Sequence, residues 1–270
     1  MMRSAICFEM LYPGLSPEEK VERIADRGFR TVEFWGWRDK DLKSLAAVCA
    51  RRGVTVANFS AHRVGSPIAR DTHGAFLADL RDAISAARTL GCRTLMALSN
   101  ELGDGGRVVN AYEAIPEGEK MAAFVEAMKR GLEVLPDDMS LVIEPLNTRV
   151  DHVGNWLADV ETAASILDKV GDARLGILCD YYHMAHMGFD LAALTRAHAR
   201  RFGYVHVADF PARDEPRRKP RTGGVDWHSL LSTLRKEGYD GTVGFEYAPS
   251  AVGSDASLDG IQELWESVVK

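Results

Sequence analysis

Short apolar runs alternate with longer stretches of helical period along the whole chain, a pattern that predicts eight strand–helix units and a parallel sheet. The strands are expected at Ser4–Leu11, Thr31–Phe34, Val54–Phe59, Arg93–Leu98, Leu141–Glu144, Leu175–Asp180, Phe202–His206 and Thr242–Glu246. The first helix should open at Ser16-Pro17-Glu18-Glu19, where Ser can cap, Pro suits the first turn and the acids suit the helix dipole. Later helices are expected at Asp41–Arg52, Ala75–Leu90, Glu117–Leu135, Leu157–Val170, Leu191–Arg201, Trp227–Glu237 and Leu258–Val269, the first three of the whole series stopping at Gly28, Gly53 and Gly91. No Ser/Pro-rich linker interrupts the alternation. The expectation is one domain over residues 1–270, a closed (β/α)8 TIM barrel, with an open doubly wound sheet as the alternative.

Four of the apolar runs end on a residue that can bind a cation or move a proton: Glu144, Asp180, His206 and Glu246. In a barrel these are the carboxyl ends of strands five to eight, where barrel enzymes carry their chemistry, so the four side chains can converge. Each alone has a plainer reading, as a partner of a buried arginine, a turn cap, a core imidazole or an acceptor of loop amides. The shared structural position argues for one site. Three carboxylates and an imidazole suit a divalent metal of the Mg, Mn or Co kind, no thiolate being present to select zinc or copper. Such a centre can take a carbonyl and an adjacent hydroxyl of a small sugar or keto acid, while Glu144 and Glu246, from strands separated by two others, exchange a carbon-bound proton through an enediolate. Return of the proton to the neighbouring carbon is isomerisation; return to the same carbon from the other face is epimerisation.

His183, expected in the loop after Asp180, can donate a hydrogen bond to a substrate oxygen, and Arg213 can bind a substrate hydroxyl or carboxylate. Arg213 could instead pair with Asp209 or Glu215. Phe8, Trp35, Trp37 and Phe59 lie near strand ends and could wall off water, although core packing accounts for aromatics there as well. Glu33, His62 and Asn100 are polar residues in similar places with weaker claims. The connection Asn100–Pro116 carries Gly103-Asp-Gly-Gly106 without the spacing of a phosphate-binding loop, and reads as a mobile lid or a plain surface loop.

Composition narrows the partners. The net charge of −6 and the scarcity of Lys/Arg runs, Arg217-Arg-Lys-Pro-Arg221 excepted, disfavour nucleic acid. Cys7, Cys49, Cys92 and Cys179 are too scattered for a zinc ribbon or disulfide framework, and the apolar stretch before Glu9 is too short for a signal peptide. With no membrane span in the hydropathy, a cytoplasmic protein is expected, acting on a small-molecule substrate. Homo-oligomerisation is an open expectation, since Trp265 suits either an interface or the packing of the last helix.

Four stretches then stand together: Ile143-Glu-Pro-Leu-Asn147, Asp180-Tyr-Tyr-His-Met184, His206-Val-Ala-Asp-Phe-Pro-Ala-Arg213-Asp-Glu-Pro216 and Gly238-Tyr-Asp-Gly-Thr-Val-Gly-Phe-Glu246-Tyr. In these the chain resembles the hydroxypyruvate isomerase-like and ketose 3-epimerase-like branch of the xylose isomerase-type TIM-barrel superfamily, which also contains endonuclease IV. The resemblance implies that Glu144, Asp180, His206 and Glu246 hold the metal, that Glu144 and Glu246 exchange the proton, and that His183 and Arg213 contact substrate. Two positions depart from the pattern. His206 is epimerase-like where hydroxypyruvate isomerases are expected to have Gln, and Arg217–Arg221 intervenes before Gly224, which stands where Glu is usual. A metal-dependent isomerase, hydroxypyruvate isomerase-like, is therefore the leading expectation and a ketose 3-epimerase the alternative. An endonuclease IV-like phosphodiesterase or a non-catalytic sugar-binding barrel comes from another class.

Overall fold

The computed structural model describes residues 1–220 and 224–269. Within them all strands run parallel in one sheet: β1 (Arg3–Cys7), β2 (Thr31–Glu33), β3 (Thr55–Val56), β4 (Asn58–Ser60), β5 (Thr94–Ala97), β6 (Ser140–Ile143), β7 (Leu175–Asp180), β8 (Phe202–Val207) and β9 (Thr242–Phe245). Their spatial order is β3-β2-β1-β9-β8-β7-β6-β5-β4. The two outermost strands, β3 and β4, are halves of the expected third strand, parted only by Ala57. Ala57 N–H donates to the Val32 carbonyl at 2.9 Å and Ser60 N–H to the Trp35 carbonyl at 3.0 Å, so the seam is joined and the sheet closes as a (β/α)8 TIM barrel.

Helices α1 (Pro17–Asp26), α2 (Leu42–Arg52), α3 (His73–Leu90), α4 (Glu117–Val134), α5 (Val160–Val170), α6 (Tyr181–Met187), α7 (Leu191–His198), α8 (Trp227–Lys236) and α9 (Gly253–Val269) surround it. The Ser16 cap and the Gly53 and Gly91 stops are those read from the chain. Ser16 and Glu19 form a reciprocal capping box, Asp41, Asp159, Asp190 and Asp226 accept N–H bonds at their helix starts, and each helix lays its apolar stripe on the sheet, as Val21, Ile24 and Ala25 do in α1. Bounds differ from expectation in places: β1 ends at Cys7, short of Leu11, and α5 begins at Val160, after Leu157. Asp180 accepts the Tyr182 N–H at 2.8 Å and starts α6 directly, so His183 sits in the first turn of a helix rather than in a loop. The last helix begins at Gly253, ahead of Leu258.

Strand alternation places the site. Val142, Leu178 and Tyr204 face the same way and form, with Met96, Leu98 and Leu146, an apolar cluster separate from the main core. Two residues further along each strand, on the same face, stand Glu144, Asp180 and His206, and Glu246 follows Gly244 in the same manner. The inward face thus changes from apolar to ionisable at its carboxyl end. Among the described residues no helix is long and apolar enough to cross a membrane.

Candidate active site

One ligand atom from each of Glu144, Asp180, His206 and Glu246 lies within 4.8 Å of the others, and all four residues are buried. The sequence-derived quartet is brought together by the adjacent strands β6 to β9. His206 Nδ1 stands 3.2 Å from Glu246 Oε2 and 3.7 Å from Glu144 Oε1, while its Nε2 is 3.1 Å from Glu33 Oε1. Despite these distances neither ring nitrogen completes a directed hydrogen bond. A buried imidazole nitrogen left facing carboxylate oxygens is the arrangement expected of a cation site. The charges agree: Glu33, Glu144, Asp180 and Glu246 crowd a volume in which Arg213 and His206 are the nearby bases. Burial pushes Glu144 up to about 7 and Asp180 up to about 6. Burial acts on Glu246 too, but Arg213 and His206 hold its carboxyl below the ordinary range. On His206 burial opposes a charge, and the Glu33 and Glu246 carboxylates override it, raising the imidazole well above its usual value. These residues fit a hard divalent cation.

The cluster adjoins a cavity of about 390 Å³. Glu144 and Glu246 line it together with His183 and Arg213, whereas Asp180 and His206 lie outside its lining. Arg213 reaches Glu246 Oε2 at 2.6 Å and Asp180 Oδ2 at 3.7 Å, and its guanidinium lies 5.0 Å from the Tyr182 ring centre. It is thus bound to the acids of the site, and among the described residues no ion pair joins it to Asp209 or Glu215. Trp35 donates its indole N–H to Glu246 Oε1, so both oxygens of that carboxylate are held. Of the four aromatics proposed as a wall, only Trp35 lines this cavity; Phe8 and Phe59 stack with Phe34 in the core, and Trp37 packs under the Arg38 guanidinium.

His183 Nε2 is 3.5 Å from Asp180 Oδ2. Its tautomer follows from Asn147, whose Oδ1 accepts the N–H groups of Val150 and Asp151 at 3.1 and 3.0 Å. The amide nitrogen must therefore be the atom that donates to Asp151 Oδ2 at 2.8 Å and to His183 Nδ1 at 2.7 Å. Nδ1 accepts, and the ring proton is on Nε2. Asp151, His152 and His183 also bring donor atoms within 4.8 Å of one another. In this trio His183 Nδ1 is already engaged by the Asn147 amide.

The remaining candidates have structural roles. His62 Nε2 lies against the Leu98 backbone, and burial brings its imidazole down to about 4. Asn100 holds the long connection by donating to the Asn110 carbonyl and accepting from Trp156 N–H, and residues 102–106 of that connection form one wall of the cavity. Arg217 pairs with Glu215 and Arg218 with Glu263; Arg221, the end of the basic insertion, lies outside the described residues. Trp265 packs edge-on against Phe245. Glu33 is the residue whose weight sequence reasoning underestimated. It is buried beside His206 and accepts from the Tyr204 hydroxyl.

Barrel and site together define the class: the chain belongs to the xylose isomerase-like TIM barrel family, whose sequence profile matches residues 21–264. Within it the chain is an isomerase. It is 27% identical to the hydroxypyruvate isomerase of Escherichia coli over 92% of this chain and 94% of that one. It is 28% identical to the 2-oxo-tetronate isomerase of Cupriavidus necator over 96% of each. Among solved structures, an AP endonuclease, family 2, from Brucella melitensis has the same fold, with a TM-score of 0.86, 24% identity and coverage of 97% of this chain and 99% of that one.

Proposed function

We propose that the protein is a metal-dependent isomerase of a small keto acid or sugar, working by proton transfer through an enediolate. The observation that carries this reading is the division of the quartet: Glu144 and Glu246 line the cavity from strands separated by two others, while Asp180 and His206 lie outside its lining. A divalent cation of the Mg, Mn or Co kind, held by Glu144, Asp180, His206 and Glu246, would polarise a substrate carbonyl and spread the charge that develops on it. Glu144 and Glu246 take the carbon-bound proton and return it. Trp35 and Arg213 fix the Glu246 carboxylate for this role, and the Nε2–H of His183 donates to the oxygen that gains charge. A keto acid is favoured over a neutral ketose by Arg63. It is exposed on the cavity wall and, among the described residues, its guanidinium pairs with no carboxylate, leaving it for a substrate carboxylate.

The test is solvent-proton exchange followed by NMR in deuterium oxide, with metal-loaded protein and a panel of hydroxypyruvate, erythrulose, fructose, tagatose and psicose. Deuterium incorporation with net conversion, lost in Glu144→Gln and Glu246→Gln, is expected, and the labelled carbon separates isomerase from epimerase. Exchange that survives in both variants would overturn the assignment of the bases.

A further inference from the structure

Two features stand outside this chemistry: the Gly-rich loop and His152. They touch each other. His152 Nδ1 lies 2.7 Å from the Gly106 carbonyl oxygen. A carbonyl can only accept, so Nδ1 carries the proton and the neutral ring keeps its lone pair on Nε2. Among the described residues Nε2 has no hydrogen-bond partner, and His152 lines the cavity. The loop comes to this ring at close range. A Cβ on Gly106 would stand 2.9 Å from His152 Cε1 and 3.3 Å from Nδ1, and the Gly106 φ of +74° is itself one that side-chain-bearing residues avoid. The loop is tied at its base by the Leu102–Val108 bridge and by Gly103 N–H to the Arg107 carbonyl at 2.8 Å.

Two imidazoles with ring centres 5.2 Å apart therefore present opposite faces of hydrogen bonding. His183, beside Asp180, offers a donor; His152, one ring further from the cluster, offers an acceptor. Resting on the isomerase reading, we propose that His152 accepts a hydrogen bond from a substrate hydroxyl beyond the two oxygens handled at the cluster, and that docking of Gly106 sets the ring for it. The substrate class that follows is a polyhydroxylated keto acid or ketose of four or more carbons. A three-carbon keto acid such as hydroxypyruvate has no hydroxyl left over to donate.

The experiment compares wild-type, His152→Phe and His152→Gln proteins, all metal-loaded, on erythrulose and on hydroxypyruvate. Phe keeps a ring of similar shape without an acceptor, and Gln restores an acceptor. For His152→Phe the expected result is a loss of about 10–100-fold in kcat/KM for erythrulose with hydroxypyruvate changed by less than about twofold, partly recovered in His152→Gln. Equal losses on both substrates, or none on either, would overturn the proposal. Binding is read separately with compounds that do not react. Threonate, which carries extra hydroxyls, should bind wild-type protein more tightly than glycolate in NMR titrations, and lose that advantage in His152→Phe and in Gly106→Ala. If no substrate is turned over, the isomerase reading fails, yet the titration still decides: threonate bound equally by wild-type and His152→Phe protein rejects the role of His152.

Discussion

Glu33 fills the space that a side chain on Gly244 would need: its carboxylate carbon lies 2.8 Å from the point where a Gly244 Cβ would stand. Glu33 in turn faces His206 Nε2, leaving Nδ1 toward Glu144 and Glu246. A carboxylate behind a metal-binding imidazole orients the ring and raises its basicity. Gly244→Ala is expected to lower stability to urea by about 1–3 kcal/mol through overpacking. Glu33→Gln is expected to keep the fold and to weaken Mn binding, read by calorimetry, by about 10–100-fold.

Asn147 fixes the proton of His183. In Asn147→Asp the new carboxylate can only accept, so the stable arrangement moves the proton to Nδ1 and removes the Nε2–H donor from the site. Expected are a fall in kcat of about 10²-fold or more with a small change in KM, and a changed tautomer pattern for His183 in nitrogen-15 NMR.

Chelation is expected to stop turnover and to lower the melting temperature, because the buried carboxylates then lose their counter-charge. Re-addition of Mn at about 100 times its dissociation constant should restore about 2.7 kcal/mol of stability. In Asp180→Asn that gain should shrink, which calorimetric melting at graded Mn concentrations would measure.

Acid stability has a marker outside the site. Burial works against ionisation of Asp79, but the Arg63 N–H at 2.5 Å, the Arg38 guanidinium and the Val64 N–H hold its carboxyl below the ordinary carboxylate range. A depressed folded-state value stabilises the fold above the unfolded value of about 3.9, and that contribution is lost as pH falls through the folded value. Asp79→Asn should therefore be less stable than wild type at neutral pH, with the difference narrowing below about pH 4 in urea titrations. The same bonds hold the loop that carries Arg63 to the cavity, so the variant should also raise KM for acidic substrates.

The barrel and the convergence of Glu144, Asp180, His206 and Glu246 were legible because both rest on short-range rules. Strands buried on both faces read as apolar runs, and an ionisable residue closing such a run, as in Val142-Ile-Glu144, has to face the mouth of the barrel. Asp180 was found for that reason, but α6 was not, since seven residues are too few to display a helical period. Only the Asp180 cap and Gly188 mark its ends. Glu33 looked like any other polar strand end. Its meaning depends on Gly244 and His206, which the chain brings to it only on closing the barrel. His152 gave no signal either, because its partner is a backbone carbonyl in a loop after a different strand, and a carbonyl leaves no trace in residue identity.

The quartet of Glu144, Asp180, His206 and Glu246 comes entirely from the last four strands, while Arg63 and the Gly103–Gly106 wall follow β4 and β5. Inheritance can treat these halves separately. Substitutions at Arg63 or in residues 103–106 can reshape what the cavity admits without replacing any of the four residues proposed to hold the metal, so lineages sharing this scaffold can exchange substrates while the proposed proton-transfer pair is kept.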